Sequence, residues 1–360
     1  MILKLSSLLV LFVFFTQNIF SQIGIGTTSP HESAIVEIQS STKGFLPPRL
    51  TINERNLISI PVPGLLIYNK SIACIETFNG LYWFNHCCSK IVNSGLSNVS
   101  EHTVLELEFD DVNNIKDHSN ANIVANGFIE TINSVEGNNF TISEIHNNEA
   151  AIGTPQDTLF KFIVSNLEKP PYTASHFIKR TRNSTVNGYG NNNYLTVDVP
   201  DIENSDFEIF AVARFSNSGQ QGNYASIFHT RKWNPTVQTD GIGESFQISA
   251  GHSAIGTADK YNLRHDGVNG NTNITIDDKF HVFNIIYSSS NTTVTLYMDG
   301  EEVYSANETL TVKEVSFFTN RHASSSPQSE IGSFVLYDSI LSDNSRETVN
   351  KFLLCKYGDL

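Results

Sequence analysis

Charge is scarce in this chain. Only 17% of its 360 residues are Asp, Glu, Lys or Arg, against about a quarter in an ordinary globular domain. Asn, Ser and Thr take the vacated positions. The basic sign is the scarcer one: 23 Lys and Arg stand against 37 Asp and Glu, a formal charge of −14. Phosphate contacts need Lys and Arg, so nucleic acid and an anionic membrane surface are excluded as expected partners. After residue 21 no apolar run is long enough to cross a bilayer, which excludes membrane insertion by a helix in the rest of the chain. No stretch repeats at a fixed period, and the eleven histidines are scattered without a Ser-His-Asp or zinc pattern. Cysteine is limited to four residues.

Aromatic and apolar residues are plentiful. There are 24 Phe and 12 Tyr within a hydrophobic fraction of 39%, enough for a real core in one large domain or a large and a small one. A polar but uncharged surface with many aromatics predicts an all-β extracellular protein rather than a helical cytosolic enzyme. Residues 1–21 carry the pattern of a secretory signal peptide: Lys4, an unbroken apolar run from Leu8 to Phe15, and Ser21 at the cut. The expected location is secreted, extracellular or on the cell surface. A retained anchor is the alternative, for which the run is short.

Residues 22–90 differ in texture from the rest of the chain and are expected to form a small N-terminal module. Ile23-Gly-Ile-Gly-Thr-Thr-Ser-Pro30 leads to Gly44-Phe-Leu-Pro-Pro-Arg49, then Gly64-Leu-Leu-Ile-Tyr-Asn69 and Asn79-Gly-Leu-Tyr-Trp83. The order resembles the N-terminal segment of tail-fibre-like secreted proteins of some Gram-negative bacteria. That resemblance implies self-association, with a homo-oligomer formed through this module. Asn79-Gly80 predicts a two-residue turn with positive φ, and Trp83 is expected to be a packed core residue.

A module this short is poor in core, so a disulfide or association is expected to stabilise it. Cys74, Cys87 and Cys88 cluster at its end and Cys355 lies far away. Joining adjacent Cys87 and Cys88 is sterically poor, which leaves two pairings. In both, Cys74 bonds one of the pair and Cys355 takes the other, tying the first module to the end of the chain.

Residues 91–102, rich in Ser and Asn, predict a linker. Residues 103–360 then show short strands separated by turn residues, which predicts a two-sheet jelly-roll sandwich. In Phe207 to Phe215, Phe207, Ile209, Ala211 and Ala213 face one way and Phe210 and Val212 the other. Asp299-Gly300 predicts a type I′ hairpin turn. Ile331 to Tyr337 has apolar residues on both faces and predicts a buried strand. Ser342 is the expected N-cap of a C-terminal helix with Val349, Phe352, Leu353 and Tyr357 on one stripe, ended by Gly358.

Ile331-Gly-Ser-Phe-Val-Leu-Tyr-Asp338, Ile340-Leu-Ser-Asp343 and Phe352-Leu-Leu-Cys-Lys-Tyr-Gly358 resemble the closing segment of the concanavalin A-like lectin/glucanase superfamily, in its laminin-G-like branch. Ser345 stands where that pattern usually has the helix-start Glu. Val104-Leu-Glu-Leu-Glu-Phe109 and Asn187 to Val197 resemble earlier strands of the same branch. The resemblance implies a sandwich that binds carbohydrate or another cell-surface ligand.

A glucanase on such a fold needs two carboxylates on one strand face. Glu203, Asp206 and Glu208 are the nearest set, at the wrong first spacing, so no catalytic residue is assigned. For ligand binding the loop Arg231, Trp233 and Asn234 stands out, because an indole stacks on sugar C–H surfaces. Folding of Trp233 back on the sheet is the competing expectation. Asp266, Asn269 and Asn271 offer closely spaced oxygen ligands for calcium, and Asp110 with Asp117 forms a second candidate pair. Two functions stay open: a secreted, non-catalytic binding or adhesion protein that recognises glycans or another cell-surface ligand through sandwich loops, and a structural tail-fibre-like assembly protein. A glycoside hydrolase on the same fold is the least expected alternative.

Overall fold

The computed structural model describes residues 22–80, 83–87, 96, 99, 103–108, 115–116, 131–132, 144–146, 160–164, 176–180, 194–215, 226–230, 246–250, 259–265, 268–317 and 329–357. Two compact units divide between Pro48 and Arg49, inside the segment expected to be one module. In the first unit, strands β1 (Ile23–Ile25) and β2 (Val36–Ile38) pair in parallel, with Ile23 opposite Val36 and Ile25 opposite Ile38. The Gln22 amide donates to the carbonyls of His31, Glu32 and Ala34 and so gathers the connecting loop.

The second unit opens with β3 (Arg49–Leu50), α1 (Ile52–Asn56), β4 (Leu66–Asn69), β5 (Cys74–Phe78) and β6 (Trp83–Asn85), whose strands form a small sheet in chain order. Thr51 starts α1 through a capping box: its hydroxyl accepts from the Glu54 N–H, and the Glu54 carboxylate accepts from the Thr51 N–H. Those bonds and nearby Lys70 hold the Glu54 carboxyl below its ordinary range. Trp83 is buried, as its sequence context predicts. The Asn79-Gly80 expectation needs correction. Phe78 pairs with Trp83, so Asn79 and Gly80 alone do not join the two strands, although Gly80 does take a positive φ of 103°.

The next strands are β7 (Thr103–Glu108), β8 (Ile115–Lys116), β9 (Thr131–Ile132), β10 (Glu144–His146), β11 (Phe160–Val164) and β12 (His176–Arg180). After them come β13 (Tyr194–Ile202), β14 (Phe207–Phe215), β15 (Ser226–His229), β16 (Phe246–Ala250), β17 (Lys260–His265) and β18 (Val268–Thr275). The chain ends with β19 (His281–Ser288), β20 (Thr293–Met298), β21 (Glu301–Asn307), β22 (Val312–Phe317), β23 (Ser329–Tyr337) and the helix α2 (Asp343–Tyr357). One sheet runs β10-β13-β22-β15-β16-β17-β18, and another runs β11-β12-β23-β14-β19-β20-β21 with β7 along part of β23.

These two sheets face each other as an all-β sandwich. Ile209, Ala211, Phe283, Ile285, Phe334 and Leu336 from one meet Phe228, Phe246, Ile248, Leu263, Val315 and Phe317 from the other in a single core. Phe334 sits edge-on to both Phe228 and Phe317, each at 5.2 Å between centroids, a favourable arrangement for aromatic quadrupoles. The Phe207-to-Phe215 strand alternates as predicted. Its other face, Phe210 and Val212, joins a second core with Val335, Tyr337 and the α2 residues Val349, Phe352, Leu353 and Tyr357. Every residue of β23 is buried. Asp299 and Gly300 have φ of 53° and 85°, the pair of positive values that a type I′ turn needs.

The second core also takes Ile52, Ile72 and Cys74 from the small sheet, and Leu96 and Val99 from the stretch read as a linker. Burying these side chains fixes the small sheet on the sandwich. At the start of α2 the Ser342 hydroxyl accepts from the Ser345 N–H at 3.2 Å and donates to the Ser345 hydroxyl at 2.9 Å. Ser345 thus gives the cap a hydroxyl partner where the related pattern has Glu. Gly358 lies outside the described residues.

Candidate functional site

The side of β15, β16 and β17 turned away from the sandwich core is polar. Along β16, Phe246 and Ile248 turn into the core while Gln247 and Ser249 turn away; along β17, Tyr261 and Leu263 turn inward while Asn262 and Arg264 turn away. Register aligns them in two rows: His229, Gln247 and Arg264, then Ser226, Ser249 and Asn262. Glu314 of β22, between the core residues Val312 and Val315, is a buried polar residue of the same sheet. Gln247, Ser249, Asn262 and Arg264 are all buried. Three of their neighbouring polar atoms, Gln247 Nε2, Ser249 Oγ and Asn262 Oδ1, have no hydrogen-bond partner among the described residues. Unmet buried polar groups are costly and call for a partner. Here one donor, one hydroxyl and one acceptor lie on paired strands, closed off from solvent.

The expected site residues are placed unevenly. Arg231, Trp233, Asn234, Asp110, Asp117 and Asp266 lie outside the described residues. Asn269 is on β18, opposite Arg264 of the polar face, and Asn271 is opposite Asn262. Asn271 Oδ1 accepts from the Asn273 N–H at 2.9 Å and its Nδ2 donates to Asn273 Oδ1 at 3.2 Å. Its side chain thus closes a local turn. Among the described residues no group of three or more His, Cys, Asp or Glu could hold a metal ion.

The glucanase-like carboxylates are drawn into separate structural bonds. Glu203 pairs with Lys313 at the surface. Asp206 Oδ1 accepts from both the N–H and the hydroxyl of Ser289 at 2.8 Å. Glu208 is buried and accepts from Asn284 Nδ2 at 2.9 Å, the Leu341 N–H at 2.9 Å and Arg346 Nε at 2.8 Å. Burial works against the charged Arg346 guanidinium, but the bonds and charge of Glu208 outweigh it and raise its affinity for the proton.

A second buried charge cluster closes the sandwich near the β20–β21 turn. His281 Nδ1 contacts Asp299 Oδ2 at 2.7 Å and its Nε2 contacts Asp277 Oδ1 at 2.8 Å. Asp299 Oδ1 also accepts from the Val282 N–H at 2.9 Å. Burial alone would lower the imidazole's affinity for its proton, but the two carboxylates outweigh it and push the pKa to about 9. Burial would raise the Asp277 carboxyl, yet the His281 bond and charge hold it below its ordinary value. With both ring nitrogens held by carboxylates, the imidazolium acts as a clamp. The neighbouring Tyr261 hydroxyl is pushed well above its usual pKa, chiefly by burial.

Apolar side chains of the first unit are exposed. Ile23, Ile25, Ile35, Val36, Ile38, Phe45 and Leu46 range from 46% to 74% exposed. A two-stranded ribbon does not hold together on its own in water, so these residues need a partner surface. In the small sheet a disulfide joins Cys74 to Cys87, one of the two expected pairings. Cys355 is disulfide-bonded, and Cys88 lies outside the described residues. Beneath that sheet Arg55 Nη1 donates to both oxygens of buried Glu76 at 3.0 Å, and Asn69 Nδ2 donates to Glu76 Oε2 at 3.0 Å.

Residues 24–97 match the family model of the phage tail-like trimerisation region. No curated protein matches the chain. Among solved structures, the binding domain of Paraclostridial Mosquitocidal Protein 1 is similar at 14% identity and a TM-score of 0.43, over 70% of this chain and 52% of that one. The receptor-binding domain of botulinum neurotoxin D is similar at 12% identity and a TM-score of 0.38, over 70% of this chain and 53% of that one. Domain 4 of AbnA, a GH43 extracellular arabinanase from Geobacillus stearothermophilus solved with arabinotriose, is similar at 12% identity and a TM-score of 0.35, over 69% of this chain and 98% of that one. The match spans about half the length of the first two. Likenesses this distant do not carry over what those proteins bind.

Proposed function

We propose that this is a secreted, non-catalytic binding protein that assembles through its N-terminal segment and presents a sandwich to a neutral glycan or similar polar ligand. The observation that carries the proposal is the first unit: its apolar side chains are exposed, and its residues 24–48 fall within the stretch matching a trimerisation region. An acidic chain with exposed isoleucines on a two-stranded ribbon is stable when copies cover those isoleucines. The loop of Arg231, Trp233 and Asn234 supports the glycan half, because an indole stacks on sugar C–H surfaces. The resemblance of the closing segment to concanavalin A-like proteins supports the same half. Calcium, expected from Asp266, Asn269 and Asn271 or from Asp110 and Asp117, enters as a condition of the test.

A glycan array on residues 22–360, with and without calcium, is expected to give hits that Trp233→Ala loses at unchanged thermal stability. Sedimentation is expected to show a trimer that dissociates when residues 22–48 are removed. The deletion stops at 48 because Ile52, Ile72 and Cys74 belong to the sandwich's second core. A monomer without glycan hits would overturn the proposal.

A further inference from the structure

The small four-stranded sheet has two unlike faces. Ile67, Asn69, Cys74, Glu76 and Trp83 point inward and are buried. Their neighbours point the other way: Leu66, Thr77 and Phe84 lie in one register row, Tyr68 and Ile75 in the next. Ile75 is exposed, and Leu66, Tyr68, Thr77 and Phe84 are half-buried. An antiparallel sheet with one packed face ordinarily turns polar residues to water on the other. This one turns Leu, Tyr, Ile and Phe outward, while its buried face holds the Arg55–Glu76 ion pair.

Among the described residues, the outward face of these strands carries no carboxylate. Its polar neighbours are the Arg49 guanidinium, stacked 5.5 Å above the Tyr68 ring, and His86, whose Nε2 lies 3.1 Å from the Thr77 hydroxyl. In a chain of charge −14, copies repel one another over most of the surface, and an apolar patch of this kind is where they can meet. The whole sheet lies within residues 24–97, the stretch matching a trimerisation region.

We propose that the outward face of β4, β5 and β6, centred on Ile75 with Tyr68 and Phe84, is an interface between copies of this chain. Assembly then involves the sandwich-bearing unit itself as well as the residues before Arg49. The proposal rests on the oligomeric part of the function proposed above and adds the surface on which copies meet.

The test places a benzophenone amino acid at position 75 of the chain 22–360 and irradiates it, beside sedimentation of the unmodified chain and of Ile75→Asp. Covalently joined copies are expected from position 75, with association of Ile75→Asp weakened by about tenfold or more. Cross-linking does not depend on the Asp variant folding. A trimer that yields no joined copies from position 75 overturns this face and leaves the oligomeric function standing, whatever Ile75→Asp does. A monomeric unmodified chain overturns both.

Discussion

Arg346 Nε donates to Glu208 Oε1 at 2.8 Å and its Nη2 donates to the Leu341 carbonyl at 2.7 Å, fixing the first turn of α2 to the start of β14. Glu208 is fully buried, so it cannot fall back on water if the partner is lost. Removing one member of a buried pair strands the other, which costs about 3–5 kcal/mol. Arg346→Ala is therefore expected to destabilise the fold by that much in urea titrations, and Asp343→Ala, which removes only an exposed partner of Arg346, by far less. Equal losses in the two variants would show that the buried bond does not hold the helix.

The other end of α2 is seated by Tyr357, whose hydroxyl donates to the Gly332 carbonyl at 2.7 Å. A Cβ on Gly332 would stand 2.5 Å from the Tyr357 ring, so only glycine lets the ring lie against β23. Tyr357→Phe is expected to cost about 1–2 kcal/mol, and Gly332→Ala about 1–3 kcal/mol through overpacking. Chemical denaturation of both variants checks the order.

His281 makes stability depend on pH at the alkaline side. Its pKa is raised from 6.5 to about 9 in the fold. The clamp's contribution is complete below about pH 6.5 and is lost as pH rises through about 9, an effect on the order of 3 kcal/mol. Asp277, held below its ordinary pKa of 3.8, keeps its contribution above that value and loses it on further acidification. Urea midpoints measured from pH 6 to 10 are expected to fall for the parent chain and to stay flatter for His281→Gln.

Removing the Cys74–Cys87 bridge, which spans 13 residues, is expected to cost about 3 kcal/mol. The second bridge expected from the four cysteines joins Cys88 to Cys355. Non-reducing peptide mapping is expected to recover those two cysteines in one linked peptide pair, and a free thiol at Cys355 would exclude it.

Much of the fold is legible in sequence because side-chain alternation is local. Phe207 to Phe215 shows both of its faces, and Asp299-Gly300 declares its turn. Pairing is not local, so nothing near Glu208 announces Arg346, 138 residues further on. A carboxylate between Phe207 and Ile209 does signal that some partner must exist. The polar face is also written in plain alternation: Gln247 and Ser249 interleave with Phe246 and Ile248, as Asn262 and Arg264 do with Tyr261 and Leu263. Their alignment into one surface needs the β16–β17 register, which no single strand contains. The clamp at His281 joins residues 277, 281 and 299 through a hairpin, and carries no motif that would set it apart from ordinary turn residues.

β23 lies between strands made far earlier in the chain, with β14 on one side and β7 and β12 on the other. Until residues 329–337 emerge during synthesis, the sheet has an open slot at its centre and its earlier strands lack their main neighbour. Closure therefore comes late and all at once, which makes this sandwich slow to mature. Such a delay suits the proposed export, in which a polypeptide stays unfolded through a channel before it takes shape outside.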